Sequence, residues 1–352
     1  MNKESLIENL KVHYVSMPGF LKVPVKRMLF KRELKKAMSD FLSEQEKSNK
    51  ALRREIENDI WRCKKLYSIK PNEYFLFGFR DIDDEKRESF LTDNIKDSTL
   101  RKVVDYRVFL DEMRNKYNFY KLTAQYFKRP VMFLNAETDI EEFCDFCVSN
   151  SDLFIKNNSS SKGRGAMTAS VKNREDAVNL YAKLTAGGGN YIIEKKISQA
   201  LEMSQWNESS VNTIRLPSFL SKDGFRVLAP FMRIGRKGSI VDNAAKGGII
   251  VCIDPETGTM LTDGVDEKGH YYTKHPDSGL TFKGWQVPHW KELISLAEEI
   301  QNTLPHHKYI GWDFALSDNG WVLIEGNWGQ FLSQYNDHIG LKRQFFELLG
   351  IK

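Results

Sequence analysis

Apolar and polar positions along the chain follow two regimes, a helical one first and an alternating strand–helix one after it. Between 31 and 67 apolar residues recur in threes and fours, charges fill the gaps, and neither Pro nor Gly interrupts. This predicts a helix. Pro18, Gly19 and Pro24 punctuate the segment before it, and Pro71 closes it. The aromatic stretch PNEYFLFGF (71–79) predicts a short buried segment. Residues 107–127 have helical spacing again, ended by Pro130, and VMFL (131–134) predicts a strand.

From 134 onward the two periods alternate. Helices are predicted at 139–150, 174–186 and 295–304, and strands at 152–158, 190–197 and 225–236. Residues 309–327 predict two strands around an Asp-Asn-Gly turn, a strong hairpin signal. The pattern is α+β or mixed α/β, with no internal repeat and no low-complexity tract.

Length and composition narrow the class. A chain of 352 residues is long enough for two or three modules with their own cores. With 41% hydrophobic and 28% charged residues it is neither disordered nor fibrous in composition. No window of 18 consecutive apolar residues occurs, so no spanning helix is expected. The N-terminus lacks a continuous apolar segment with a small-residue cleavage site, so no secretion signal is expected. Cys63, Cys144, Cys147 and Cys252 are too few and scattered for a disulfide framework, which points to a reducing cytoplasm.

The net charge of +5 is uneven. Residues 1–70 hold 17 Lys/Arg against 9 Asp/Glu, a net of +8, which leaves −3 for the remainder. A basic arm suits nucleic acid, an anionic membrane surface or an acidic partner. A solvated helical face is the plainer reading.

Four groups of residues carry chemistry. The first is Asp313 with Glu325 and Asn327. Side chains alternate along a strand, so Glu325 and Asn327 project from one face about 7 Å apart. The hairpin returns Asp313 to within about one residue of Glu325. Two carboxylates and an amide oxygen form a hard, oxygen-only donor set that suits Mg²⁺. A polar hairpin edge gives the same letters, but Ile310, Phe314, Leu323 and Ile324 imply packing, and buried carboxylates need partners.

The second is Lys156, at the end of an apolar run, followed by NNSSSKGRGAM (157–167) with Gly163 and Gly165 flanking Arg164. Backbone amides in such a loop can cradle phosphates, although the GxxxxGK[ST] loop is absent. The third is IIEKKI (192–197), where Glu194 lies between apolar neighbours. Backbone groups at Lys195 to Ile197 could meet an adenine edge, but for this segment in isolation an amphipathic strand with a solvated charge cluster is the plainer reading. The fourth is Asn212 and Arg215 in VNTIRLP, Arg233 in FMRIGR, and Asn243 and Lys246 in DNAAKGG. Arginine forks suit phosphate and carboxylate oxygens.

Other features carry less. Cys144 and Cys147 sit in a helical pattern with no second pair, and the seven histidines, His306 and His307 among them, show no ligand spacing with cysteine. No GxSxG, HExxH or GxGxxG occurs.

In order, FIK, the Gly-rich loop, IIEKKI, VNTIR, the Arg strand, NAAKGG and GWDFAL…WVLIEGNWG resemble the ATP-grasp superfamily. NKYNFY (115–120), HPDSG (275–279) and WQVPHW (285–290) bring the chain closer to the sugar-transfer-associated ATP-grasp family, over roughly residues 70–345. The resemblance implies an ATP-grasp fold, two α+β subdomains sandwiching ATP, after a basic helical N-terminal region (1–95). Residues 96–150 would be a linker and the first part of the module. Residues 151–210 would carry the Gly-rich loop and adenine hinge, and 211–352 the Mg²⁺ and phosphoryl-transfer site.

By the same resemblance, Lys116 and Lys156 would contact nucleotide phosphates, and the loop 158–166, with Ser160, Ser161, Gly163, Arg164 and Gly165, would cover them. Glu194, Lys195, Lys196 and Ile197 would hold adenine, mostly through their backbone, and Glu202 the ribose. Asp313, Glu325 and Asn327 would bind one or two Mg²⁺ ions, with Mn²⁺ able to substitute. Arg233, with Arg215, Asn243 and Lys246, would face the transferred phosphoryl group.

The implied reaction is a carboxylate–amine ligation through an acyl phosphate, releasing ADP and phosphate, in a setting of surface-glycan synthesis. A sugar-linked carboxylate and an amine would then be the partners, with no nucleic acid. A membrane-peripheral contact through residues 1–70 is a further expectation. A phosphotransferase acting on a hydroxyl and a non-catalytic nucleotide-binding scaffold are the alternatives. The sequence offers no signed base for a hydroxyl, although Asp242 or Asp263 could serve. An ionised carboxylate needs none.

Overall fold

The computed structural model describes residues 19–158, 165–242 and 247–351, with side chains from Val23 on. Helix α1 (Gly19–Phe41) runs through Pro24, which in its second turn removes one backbone bond without ending it. The single helix expected over 31–67 is divided. Ser43 and Glu46 form a reciprocal capping box that starts α2 (Glu44–Ser48), and the Asn49 side chain accepts from Leu52 N–H to start α3 (Lys50–Tyr67). Short polar side chains that bond their own backbone compete with helix continuation, and that competition divides it. Pro71 occupies the first position of α4 (Pro71–Leu76), and Tyr74, Leu76, Phe77 and Phe79 are buried as the aromatic pattern predicts.

Next come α5 (Asp84–Glu88), α6 (Asp93–Val103) and α7 (Tyr106–Phe109), then a π turn over Leu110–Arg114. Asn115 leaves helical geometry and caps α8 (Lys116–Phe127), so the helix expected over 107–127 is broken immediately before Lys116. Phe30, Leu34, Ile60, Phe77 and Phe79 share a core with Phe231, Ile250 and Val265 of the larger sheet. From Phe30 on, the basic segment is therefore packed against the rest of the chain; residues 1–18 lie outside the described residues.

A four-stranded antiparallel sheet follows, with β1 (Val131–Leu134), α9 (Ile140–Asn150), β2 (Asp152–Asn157), β3 (Met167–Ser170), α10 (Arg174–Thr185) and β4 (Tyr191–Lys195). Its strand order is β1-β4-β2-β3, and β4 ends two residues before the expected 197. Cys144 and Cys147 are free thiols in its core, beside Phe143, Leu153 and Ile193. Strand β1 and helix α9 complete this sheet, so residues 131–150 belong to it.

After α11 (Leu201–Ser204), the larger sheet holds β5 (Thr213–Ser221), β6 (Gly224–Val227), β7 (Phe231–Ile234), β8 (Ile249–Cys252), β9 (Gly264–Val265) and β10 (Tyr271–Tyr272). Helix α12 (Trp290–Asn302), strands β11 (Tyr309–Ser317) and β12 (Gly320–Asn327), and helix α13 (Lys342–Leu348) complete the chain. The strand order is β10-β9-β8-β7-β5-β11-β12, with β6 also on β5. The strand expected over 225–236 is two strands, because Ala229 takes a left-handed φ of 48° and Pro230 has no N–H to donate. Helix α12 begins five residues earlier than the 295 start read from spacing. The hairpin over 309–327 has the expected Asp318-Asn319 turn. Among the described residues no helix is long and apolar enough to cross a membrane.

Candidate active site

Both sheets line a cavity of about 620 Å³. From the smaller come Phe154, Lys156, Ile192 and Glu194, and from the larger Thr213, Arg215, Arg233, Asp313 and Glu325.

Register builds the centre of this cavity. Asp313 on β11 lies directly opposite Arg215 on β5 and directly opposite Glu325 on β12. Opposed residues share a face, so the three side chains form one row across three strands. Arg215 Nε and Nη2 donate to the two Asp313 oxygens at 2.5 and 3.0 Å. Arg233, opposite Thr213 on the neighbouring pair, places Nη2 2.9 Å from Asp313 Oδ2. Burial would raise the Asp313 pKa, but the two guanidiniums hold it at about 2.

Glu325 differs from its neighbour. Burial and the Asp313 charge raise its pKa, against the pull of Lys156 and Lys116. Asn327, two residues on along the same face, places Nδ2 3.4 Å from Glu325 Oε1. A buried carboxylate pushed up by a second carboxylate is the environment a divalent cation relieves, and an Asp/Glu/Asn oxygen set suits Mg²⁺. The residues present fit that ion. Arg215, expected to face the transferred phosphoryl group, lines the cavity with its fork on Asp313, and Asp313 is thus held by two arginines.

A second cluster lies on the smaller sheet. Glu194, on the inner strand β4, is 3% exposed and bridges Lys156 Nζ at 2.7 Å and Arg129 Nε at 2.9 Å. Burial works against the ionised form, yet Arg129 and Lys156 hold its pKa at about 2. Arg129 also donates to the Leu323 carbonyl on β12, at 2.9 Å, and so ties the two sheets together. The solvated charge cluster is thereby corrected for Glu194, whose side chain is engaged by two cations of the protein. The Lys195 and Lys196 N–H groups are also engaged, donating to Pro130 O at 3.0 Å and Asp152 O at 2.8 Å. Ile197 N–H makes no backbone bond among the described residues.

Lys116 begins α8, lines the cavity, and has its pKa lowered by burial although Glu325 opposes this. The Asn158 side chain accepts the next N–H, from Tyr117, at 3.0 Å, which links this helix start to the Gly-rich segment. Gly165 has a φ of 72° with open space around it. Ser160, Ser161, Gly163, Arg164, Asn243 and Lys246 lie outside the described residues. Glu202 is exposed on α11 and does not line the cavity, which corrects its placement at the ribose. Its helix turns that side chain to solvent.

Several lining residues had no signal in the sequence. Lys96 on α6 donates to the carbonyls of Trp328 and Gly329 at 2.8 and 2.9 Å. Asp93 accepts from Lys70 at 2.5 Å and from Gln330. Asp242, which the sequence offered as a possible base, also lines the cavity; it accepts from the Thr213 N–H at 3.1 Å, and burial raises its pKa although Arg233 opposes this. Asp263 does not line the cavity. Away from the centre, His306 and His307 approach Glu112 of the π turn at 2.6 and 2.8 Å, a grouping made by the fold rather than by sequence spacing. It anchors the turn that precedes Lys116.

The profile of one family, described as sugar-transfer associated ATP-grasp, matches residues 97–343. Among solved structures the chain is similar to the D-alanine-D-alanine ligase of Coxiella burnetii at 10% identity and a TM-score of 0.35, covering 61% of this chain and 47% of that one. It is similar to the D-alanine–D-alanine ligase of Bacillus anthracis at 13% identity and a TM-score of 0.39, covering 67% and 63%. It is also similar to D-cycloserine synthetase DcsG at 11% identity and a TM-score of 0.42, covering 69% and 72%. The chain thus spans about half to just under two thirds of the length of the two D-alanine ligases. No curated protein matches it.

Proposed function

We propose, from the premise that the chain belongs to the sugar-transfer associated ATP-grasp family, that it is an ATP- and Mg²⁺-dependent ligase joining a carboxylate to an amine, with ADP as a product. The observation that carries the reading is the row Arg215–Asp313–Glu325, with Lys116 and Lys156 lining the same cavity. Lys116 and Lys156 bind phosphate oxygens as point charges. Ile197 N–H and the hinge carbonyls meet adenine. Arg233 stabilises charge on the transferred group and Arg215 fixes Asp313. Asp313, Glu325 and Asn327 would hold Mg²⁺, which would offset the charge of the phosphate oxygens when bound.

An oxygen of the substrate carboxylate attacks the γ-phosphorus, and the bond from phosphorus to the β–γ bridging oxygen breaks toward ADP. The amine lone pair then attacks the acyl carbon, phosphate leaves with the acyl–oxygen electrons, and the nitrogen loses a proton. The family description supports a glycan precursor as the setting. Charge supports a peripheral contact with an anionic surface, because α1 exposes Lys26, Arg27, Lys31, Arg32, Lys35 and Lys36.

A second reading rests on Asp242. Its raised pKa and place in the cavity suit a base that takes the proton of an acceptor hydroxyl, as a phosphotransferase requires. Hydroxylamine separates the two. With ATP, Mg²⁺ and a panel of carboxylates, enzyme-dependent hydroxamate is the expected result, since hydroxylamine captures an acyl phosphate. A stable phosphorylated hydroxyl product without free phosphate would overturn the ligase reading in favour of the second.

A further inference from the structure

The cavity continues past the carboxylate row into a part built by other elements. Trp328 immediately follows Asn327, and its ring stacks on Phe109 of α7 at 4.1 Å between centroids, with Tyr106 5.4 Å away. All three rings line the cavity, and none lies on the smaller sheet. Lys96 donates to the Trp328 and Gly329 carbonyls, which fixes the backbone that carries this aromatic wall. The Trp328 indole Nε1 is buried with no hydrogen-bond partner among the described residues.

At the edge of the wall stands Arg101. Its guanidinium lies 3.4 Å from the Tyr106 ring centroid, and no hydrogen bond or ion pair engages it among the described residues. The wall and this cation use different chemistry from the nucleotide groups. A flat apolar face packs against the C–H surface of a ring. An oriented guanidinium with unused donors takes two oxygens of an anion at once. Cation–π contact presents the fork without an acidic partner that a ligand would have to displace. Lys96 and Lys70, by contrast, already bond Asp93.

We propose that Tyr106, Phe109, Trp328 and Arg101 form the acceptor subsite, and that it takes a hexose-sized ring bearing an anionic group, carboxylate or phosphate. This rests on the ligase reading, which places the phosphoryl group beside Asn327, one residue from the wall.

Calorimetry on the full chain tests it with three probes sharing one ring: glucose, glucuronate and glucose 6-phosphate. The chain is first saturated with a non-hydrolysable ATP analogue and Mg²⁺, which occupies the nucleotide phosphate groups. One or both anionic sugars are expected to bind at least tenfold tighter than glucose, and whichever does so identifies the anion. Arg101→Ala is expected to abolish that preference and Arg101→Lys to retain part of it. A subsite with no preference for either anion over glucose, or a preference that survives in Arg101→Ala, overturns the proposal. Failure of the first titration, with the analogue itself, would instead refute the nucleotide reading.

Discussion

Arg215 and Asp313 stand directly opposite one another on adjacent antiparallel strands, and two nitrogens of the one bond the two oxygens of the other. The contact depends on a glycine sixteen residues further on. A Cβ at Gly329 would lie 1.6 Å from Arg215 Nη1. Gly329→Ala is expected to displace the guanidinium, at about 1–3 kcal/mol in stability as for other overpacked sites. Loss of Mg²⁺-dependent nucleotide binding should exceed what that destabilisation explains. A folded Gly329→Ala protein that binds nucleotide as the wild type does would show that the arginine fork is dispensable.

Lys156→Ala removes a charge-assisted contact worth about 1.5–3 kcal/mol, or roughly 10- to 150-fold in nucleotide affinity. Because Lys156 also bonds Glu194, thermal melts should accompany the titration. Equal affinities in a folded variant would remove Lys156 from the site.

The Glu194 carboxylate has a folded pKa of about 2 against an ordinary 4.5. Its folded value is depressed, so the stability it contributes, on the order of 3 kcal/mol, is complete above the ordinary value and lost as pH falls toward 2. Glu194→Gln leaves Arg129 buried and unpaired, with an expected loss of about 3–5 kcal/mol near neutral pH. Denaturant midpoints between pH 7 and pH 3 check this. A variant as acid-sensitive as the wild type would assign the acid loss to other carboxylates.

How far these relationships were legible in the sequence depends on how far apart the partners lie along it. The turn residues of the hairpin bring Asp313 to within about one residue of Glu325, but the bulge between Asp313 and Phe314 that sets the two directly opposite has no local signal. Arg215 reaches Asp313 only because β5 is laid beside β11, across 98 residues, and no local pattern encodes that neighbour. The same holds for Arg129 with Glu194 and for Lys96 with the Trp328 carbonyl, 65 and 232 residues apart. Alternation along IIEKKI is compatible with Glu194 in water. Its burial becomes visible once β4 is flanked by β1 and β2. Ser43, Asn49 and Asn115 carry local signals, since each is a cap-forming residue inside a helical period, and the period outweighed them.

Helix α1 turns six basic side chains outward with Glu33 and Asp40 as the acidic ones among exposed residues 26–40. Each basic group near an anionic surface adds about 1 kcal/mol, screened by salt. Sedimentation with vesicles containing an anionic lipid should therefore show binding at low salt that high salt releases. Absence of binding at both would favour a solvated face.

Calorimetric titration of a non-hydrolysable ATP analogue asks whether the carboxylate row on β11 and β12 forms a Mg²⁺-dependent nucleotide site. One analogue per chain is expected in the presence of Mg²⁺, with much weaker binding without it and loss of that Mg²⁺ dependence in a folded Glu325→Gln variant, which keeps the side-chain volume but not the anionic ligand. Analogue binding that ignores Mg²⁺, or that Glu325→Gln leaves unchanged across a magnesium titration, would contradict such a site.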